Sequence, residues 1–183
     1  MSSKRALTYN QIKDLILYKI MPLRIKALIA TQYGTGARIG EILPYKNNKG
    51  IMFPGLQKAD IENKEGYYLF RLPNFKNAKK KFKEVGIPKE KEAWLLQPIL
   101  MWINQCSKET LFSFHERRAR ELIKVNAGFS SHYLRHSRAT HLAQIFNYNA
   151  YEIQQTLGHS KLDTSQIYVD SRLEDRMKKM EFK

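Results

Sequence analysis

The sequence predicts a mainly α-helical chain with one small antiparallel β-sheet, an α+β fold. Three observations lead there. Apolar residues at helical spacing recur along most of the chain, between helix-start and helix-stop signals. Two β-leaning runs, Tyr67 to Leu72 and Phe82 to Ile87, flank a lysine-rich stretch and read as one hairpin. The 183 residues, 43% hydrophobic and 27% charged, suit a single domain over 1–183 with a real core.

The elements follow in order. Thr8 and Gln11 form a capping box for a helix whose Ile12, Leu15 and Ile16 share one face. A second helix runs from about Pro22 to Tyr33, apolar at Leu23, Ala27 and Ala30, and Gly34-Thr35-Gly36 stops it. A short third helix from about Ala37 to Leu43 carries Arg38 and Glu41, and Pro44 ends it. Asn47 to Gly55 reads as a loop, and the hairpin follows with Lys76 to Lys81 at its tip. Glu90 to Gln105 is helical, with Trp94, Leu95, Trp102 and Ile103 as core candidates. Glu116 to Val125 is a short basic helix. Ser131 caps a helix to about Phe146, and Tyr151 to Leu157 forms another that Gly158 closes. Asp163 with Gln166 caps the helix holding Tyr168. In the tail, Leu173, Met177 and Met180 form an apolar stripe.

Charge is the compositional outlier. Thirty-two Lys and Arg against 17 Asp and Glu give a net charge of +15. Such a surface repels itself unless it meets a polyanion, so nucleic acid is the first partner expected, ahead of an anionic membrane or a merely solvated face. Cys106 is the sole cysteine and forms no internal disulfide, which fits a reducing, cytoplasmic compartment; it reads as a small buried group before a catalytic thiol. The polar start Met1-Ser2-Ser3-Lys4-Arg5 lacks the apolar stretch of a signal peptide, and the longest apolar run is broken by Gln97-Pro98.

Three motifs carry chemistry. Thr35-Gly36-Ala37-Arg38-Ile39-Gly40-Glu41 lies upstream, and Ser131-His132-Tyr133-Leu134-Arg135-His136 and Leu157-Gly158-His159-Ser160 precede Tyr168. Two arginines, two histidines and a tyrosine suit attack on a phosphodiester by a phenolic oxygen. The reaction builds negative charge on phosphorus, and guanidinium groups grip two phosphate oxygens at once. Glu41, one turn from Arg38, can hold that guanidinium. His132 and Arg135 are i, i+3 at a helix N-terminus, where the dipole also favours an anion. A tyrosine needs a base or a positive field to act as nucleophile, and His132 can take its proton. His159 can bond the phosphate or position Tyr168. The leaving 5′ oxygen needs a proton, which a hairpin lysine can give. The chemistry needs no metal and no ATP, so no cofactor is expected.

The three motifs, in this order, resemble the tyrosine recombinase (phage integrase) family over nearly the whole chain. The resemblance implies the catalytic-domain fold of DNA breaking-rejoining enzymes and a site-specific recombinase acting through a 3′-phosphotyrosine. It assigns Arg38, His132, Arg135 and His159 to the scissile phosphate and Tyr168 to attack. It also makes a hairpin lysine the general acid. Lys76-Asn77-Ala78-Lys79 matches the family's lysine-then-turn pattern, while counting back from Pro88 gives Lys80; the first match is preferred. Lys79, Lys81, Lys83, Arg117, Arg118 and Arg120 are expected to contact DNA phosphates. Family members usually carry a separate N-terminal DNA-binding domain and associate as tetramers on double-stranded DNA; here the catalytic domain is expected to begin near Leu7, either as a stand-alone domain or as a fragment of a longer chain. Residues 171–183 are suited to exchange between such protomers.

Other readings of the motifs are weaker. His115 and His141 read as structural histidines; His136, i+4 from His132, could join the site, with support of its helix the preferred reading. The glycines at 34, 36 and 40 miss the spacing of a dinucleotide fingerprint and follow a helix, and Gly50-x₄-Gly55 lacks the lysine of a P-loop. His132-x₃-His136 has zinc spacing without a third ligand. The rival functions are a type IB topoisomerase and a non-catalytic DNA-binding module.

Overall fold

The structure is a computed structural model and describes residues 6–46, 50, 52–73 and 82–170. The lysine-rich hairpin tip and the tail stripe lie outside the described residues. Helix α1 (Tyr9–Leu17) opens on the expected capping box, Thr8 accepting from the Gln11 N–H and Gln11 accepting from the Thr8 N–H. It buries Ile12, Leu15 and Ile16. Helix α2 (Leu23–Thr35) is the centre of the molecule, with Ile25 and every residue from Ala27 to Thr35 buried.

Gly34 does not stop α2. It lies inside the helix, where β5 and α4 approach closely: a Cβ there would sit 2.7 Å from both Ile87 and Leu95 side chains. Gly36 is the stop, a left-handed C-cap at φ 59°. A Cβ on Gly36 would lie 2.1 Å from Leu157, so this position demands glycine for its backbone angle and for its neighbour. Thr35 bridges the turn, donating to the Thr31 carbonyl and accepting from the Ala37 N–H. Helix α3 (Ile39–Ile42) then begins with Arg38 as its N-cap residue.

The segment expected as a plain loop carries two short strands, β1 (Tyr45–Lys46) and β2 (Met52–Phe53), paired antiparallel. After a 3₁₀ turn (Lys58–Asp60), a three-stranded antiparallel sheet runs β3 (Ile61–Asn63), β4 (Tyr67–Pro73), β5 (Phe82–Pro88), in that spatial order. The hairpin register pairs Phe70 with Val85 and Leu72 with Lys83. Along β5, Lys83, Val85 and Ile87 point inward while Phe82, Glu84 and Gly86 are exposed.

Helix α4 (Ala93–Gln105) lies across α2 and α1 and tolerates Pro98 in its first half. Leu95, Leu96 and Ile99 are its core residues; Trp94, Trp102 and Ile103 are only partly buried. Helix α5 (Glu116–Ala127) ends on left-handed Gly128. Helix α6 (Ser131–Gln144) starts one residue earlier than Ser131 as cap would require: the N-cap position belongs to Ser130, whose side chain makes no cap bond. Helix α7 (Ala150–Leu157) has an Asn149–Glu152 capping box and ends on left-handed Gly158. Residues 163–170 form a further helix, α8. The expected Asp163–Gln166 box does not form: Asp163 is already helical, and the Gln166 amide donates to Asp170 instead.

Two packed clusters hold these elements. The larger joins α1, α2, α4, the sheet and α5; burying each large aliphatic side chain there contributes about 1.5–3 kcal/mol. The smaller joins Ala139, Leu142 and Ala143 of α6 to Ile153 and Leu157 of α7, with Tyr168 and Val169 against it. Buried polar groups tie α6 to its surroundings. Arg138 forms an ion pair with Glu92 and lies 5.3 Å over the Tyr33 ring. His141 bonds the Tyr33 hydroxyl through Nδ1 and the Leu7 carbonyl through Nε2, each at 2.8 Å. The Leu7 carbonyl can only accept, so Nε2 donates; burial pushes the ring's pKa down to about 4, so at neutral pH it is uncharged and Nδ1 accepts from the phenol. Among the described residues no helix is long and apolar enough to cross a membrane.

Candidate active site

Arg38 leaves the α2–α3 corner with its side chain about one-third exposed, its Nη1 2.9 Å from Glu41 Oε1. Glu41 is buried and also accepts the Arg38 backbone N–H at 2.9 Å. Arg135, on the first turn of α6, is 4% exposed; its Nη1 donates to the Gly36 carbonyl at 2.6 Å. The left-handed turn at Gly36 is what aims that carbonyl at the guanidinium. Gln32 sets the spacing between the two corners, its amide donating to the Ser131 carbonyl at 3.0 Å and lying 3.5 Å from that of Ala37. Arg135 Nη2 is buried with no hydrogen-bond partner among the described residues.

Burial and the neighbouring Arg38 charge push Arg135 down to about 10. Two guanidinium groups held together this way make a site that gains from an anion. His132 stands beside them, more exposed, and burial together with Arg135, Arg38 and Arg120 lowers its pKa. His159 follows the Gly158 turn, and its Nδ1 lies 2.8 Å from the buried Ser165 hydroxyl of α8. Nε2 is thereby left as the nitrogen able to meet a ligand. Burial and the same two arginines push His159 down to about 4.

Tyr168 reaches this place from α8. Its hydroxyl lies 3.2 Å from His136 Nδ1, and its ring stacks on His159 at a centroid distance of 6.4 Å. Burial raises the phenol's pKa, and the Arg135 charge opposes that rise. His136, expected to support its helix ahead of joining the site, places its Nδ1 at the Tyr168 hydroxyl. The sequence signal was available, since His132 and His136 are i, i+4 on one face.

The arginine pair opens onto a groove of about 1020 Å³ between α3 and α5. Gln32, Arg38, Glu41, Ser130, Ser131, His132 and Arg135 line one side; His115, Glu116, Arg117, Arg120 and Lys124 line the other. Arg117, Arg118 and Arg120 are all exposed, and each pairs with a carboxylate of its own helix, Glu121 or Glu116. Lys76, Lys79, Lys80 and Lys81 lie outside the described residues. Lys83 corrects the expectation of a surface phosphate contact. It is 5% exposed, and its Nζ lies 2.8 Å from Glu41 Oε2 and 3.3 Å from the Leu157 carbonyl. The inward face of β5 puts it there.

Sequence comparison adds to this arrangement. A model of the phage integrase family matches residues 5–174. The chain belongs to the phage integrase family. Tyrosine recombinase XerA of Thermococcus kodakarensis is 29% identical to this integrase-family chain over 199 aligned residues, spanning 98% of it. The chain spans 63% of that relative's length. A crystal structure of XerA recombinase superposes with TM-score 0.67 at 25% identity, covering 98% of this chain and 65% of the other. A post-cleavage complex of XerH site-specific recombinase with a palindromic difH substrate gives TM-score 0.64 at 23% identity, over 94% of this chain and 52% of the other. The integrase-family fold is thus the one this chain adopts.

The lowered histidines make one prediction. His132, His141 and His159 are held below the free value of about 6.5, so the unfolded chain binds more protons than the native chain as pH falls below it. Stability present above that pH is lost on acidification toward about 4, where His141 and His159 protonate in the fold. Glu41 and Glu62, lowered from 4.5, add their losses only below that value. Urea midpoints should fall measurably between about pH 7 and pH 5; a flat profile there would contradict the burial of these rings.

Proposed function

We propose that this chain is the catalytic domain of a site-specific DNA recombinase, cleaving and rejoining strands of double-stranded DNA through a 3′-phosphotyrosine. One observation carries the reading: a buried guanidinium, Arg135, keeps an unpartnered Nη2 beside Arg38, at the N-terminus of a 14-residue helix. That is the donor set a phosphodiester requires. Arg38 and Arg135 hold the scissile phosphate and neutralise the charge that develops on it. His159 Nε2 supplies a further bond. Tyr168 Oη attacks phosphorus, the P–O bond to the 5′ oxygen breaks, and rejoining reverses the step. The phenolic proton passes to a neutral imidazole: His132 is the base expected from its motif, with His136 holding the phenol until DNA arrives. The 5′ oxygen takes its proton from a hairpin lysine, Lys76 before Lys80. The solved relatives named with a bound DNA substrate support DNA as the partner.

Exposed Arg117, Arg118 and Arg120, with Lys79 and Lys81, supply backbone contacts, so DNA affinity falls steeply with added salt. Self-association as a tetramer on DNA, with 171–183 exchanging between protomers, is the finer part of the reading and rests on the stripe of Leu173, Met177 and Met180. The deciding experiment offers the chain a duplex nicked next to the cleavage point, so that the released fragment diffuses away. A protein–DNA adduct resistant to denaturant and mapping to Tyr168 is expected; no adduct on any site drawn from a random duplex library would overturn the proposal. Alanine at Lys76, and not at Lys79, Lys80 or Lys81, is expected to slow adduct formation by about 10²-fold or more. Equal small losses at all four would remove the general-acid assignment.

A further inference from the structure

Lys83 is a buried charge with no stabilising reason to be there. Its inward neighbours on β5 are Val85 and Ile87, and its cross-strand partner is Leu72, all buried. An apolar side chain would continue that stripe, and replacing a buried ion pair by apolar groups is often neutral or stabilising. Lys83 is 5% exposed and is not among the residues lining the groove beside the arginines. Its ammonium turns inward instead, to Glu41 and to the carbonyl of Leu157.

Both partners lie one step from the reacting groups. Glu41 divides its carboxylate: Oε1 takes the Arg38 guanidinium, while Oε2 takes the Arg38 N–H and Lys83. Leu157 is the last residue of α7, directly before Gly158 and His159. One ammonium thus joins strand β5, the corner that carries Arg38 and the corner that carries His159. We propose that Lys83 is a positioning residue for strand cleavage: through Glu41 it sets the Arg38 guanidinium, and through the Leu157 carbonyl it sets the His159 corner. The inference rests on the proposed reaction and deepens it.

The charges facing Glu41 give the inference a pH signature. Arg38 faces it from α3, Arg135 from α6 and Lys83 from β5, with His159 farther off. Burial raises the carboxyl's pKa, but the charge and hydrogen bond of Lys83, with the Arg38 N–H and Arg135, bring it below the usual range. Burial pushes Lys83 down to about 8 against the pull of Glu41, so the ammonium is charged at neutral pH. Without Lys83 the buried carboxyl rises. A protonated Glu41 holds Arg38 less firmly, and cleavage should fade as pH drops.

The test uses the full chain on the nicked duplex, with single-turnover adduct rates from about pH 5.5 to about 8.5. Lys83→Met should slow cleavage by about 10²-fold and steepen the acid limb, with the unfolding midpoint lowered because the buried Glu41 loses one of its cations. Lys83→Arg, which keeps the cation, should recover to within about tenfold of the parent. In a Glu41→Gln background the Lys83→Met penalty should vanish, because the shared carboxylate is already gone. A duplex with sulfur in place of the leaving 5′ oxygen should not rescue Lys83→Met.

A rate within about threefold of the parent overturns the inference, as does an undiminished penalty in the Glu41→Gln background. Rescue by sulfur overturns it too, since Lys83 would then be the proton donor itself. Should Lys83→Met fail to fold, a Glu41→Gln chain cleaving at the parent rate overturns it. If the parent forms no adduct, the failure belongs to the proposed reaction. The Glu41 carboxyl signal in NMR titration then decides the Lys83 claim alone: an upward shift in Lys83→Met is expected, and an unmoved signal overturns it.

Discussion

Tyr168→Phe is expected to abolish covalent capture of DNA while leaving the chain folded and able to bind duplex. The ring is what the fold uses. It packs on the small cluster of Ala139, Leu142, Ala143, Ile153 and Leu157, and it stacks on His159. Phenylalanine keeps all of that. The hydroxyl lies 3.2 Å from His136 Nδ1, and a bond of that kind contributes about 1 kcal/mol. The reaction, by contrast, has no substitute for the oxygen: a transesterification without its nucleophile has nothing to form the new bond. Adduct should fall by at least about 10⁴-fold on the nicked duplex, with DNA retention at low salt unchanged. Tyr133 offers the one informative exception. Its ring centroid lies 6.2 Å from that of His136. Residual adduct mapping to Tyr133 would mean that the site activates any nearby phenol and that Tyr168 is not the specified nucleophile. Adduct formed at the parent rate and mapping to neither tyrosine would remove the proposed reaction.

Local signals were legible in the sequence where a single segment decides the outcome. The Thr8–Gln11 box, the left-handed glycines at 36 and 158, and the hairpin of β4 with β5 each depend on residues within a few positions. The misses have physical causes. Strands β1, β2 and β3 are two or three residues long, too short for a period to show, and exist because a neighbouring strand completes them. Gln166 takes Asp170 one turn on, and Gly34 is a glycine for the space that Ile87 and Leu95 leave it and not as a helix stop. In the candidate site the arginine, histidine and tyrosine types were legible by motif. Their supports were not, because those bonds join distant positions: Gln32 with Ser131, Lys83 with Glu41, Lys83 with Leu157. Lys83 is the instructive case. Counting it among surface lysines followed net charge, whereas the alternation of Lys83, Val85 and Ile87 had already assigned it to the inner face.

Arg135→Met separates what stabilises this fold from what the site is for. The Arg135 guanidinium is 4% exposed, makes one hydrogen bond to Gly36, and has no carboxylate within ion-pair distance among the described residues. Burial and Arg38 push its pKa down to about 10 from 12.5. Holding it charged at neutral pH therefore costs the fold on the order of 3 kcal/mol. The bond to the Gly36 carbonyl offsets about 1.5–3 kcal/mol of that. Methionine has a similar reach and fills the same space without charge. Stability should hold or rise by up to about 2 kcal/mol in urea unfolding. Cleavage should fall by about 10³-fold, because the donor aimed at the phosphate is gone and Arg38 stands alone. Arg135→Lys is the sharper companion: it keeps the charge but loses the planar fork, and should still lose about 10²-fold. Opposite movement of the two readouts is the signature of a charge kept for a ligand and against the fold's own interest. If Arg135→Met instead loses more than about 1 kcal/mol and cleaves within about tenfold of the parent, the guanidinium is a strut for Gly36 and the anion site lies elsewhere.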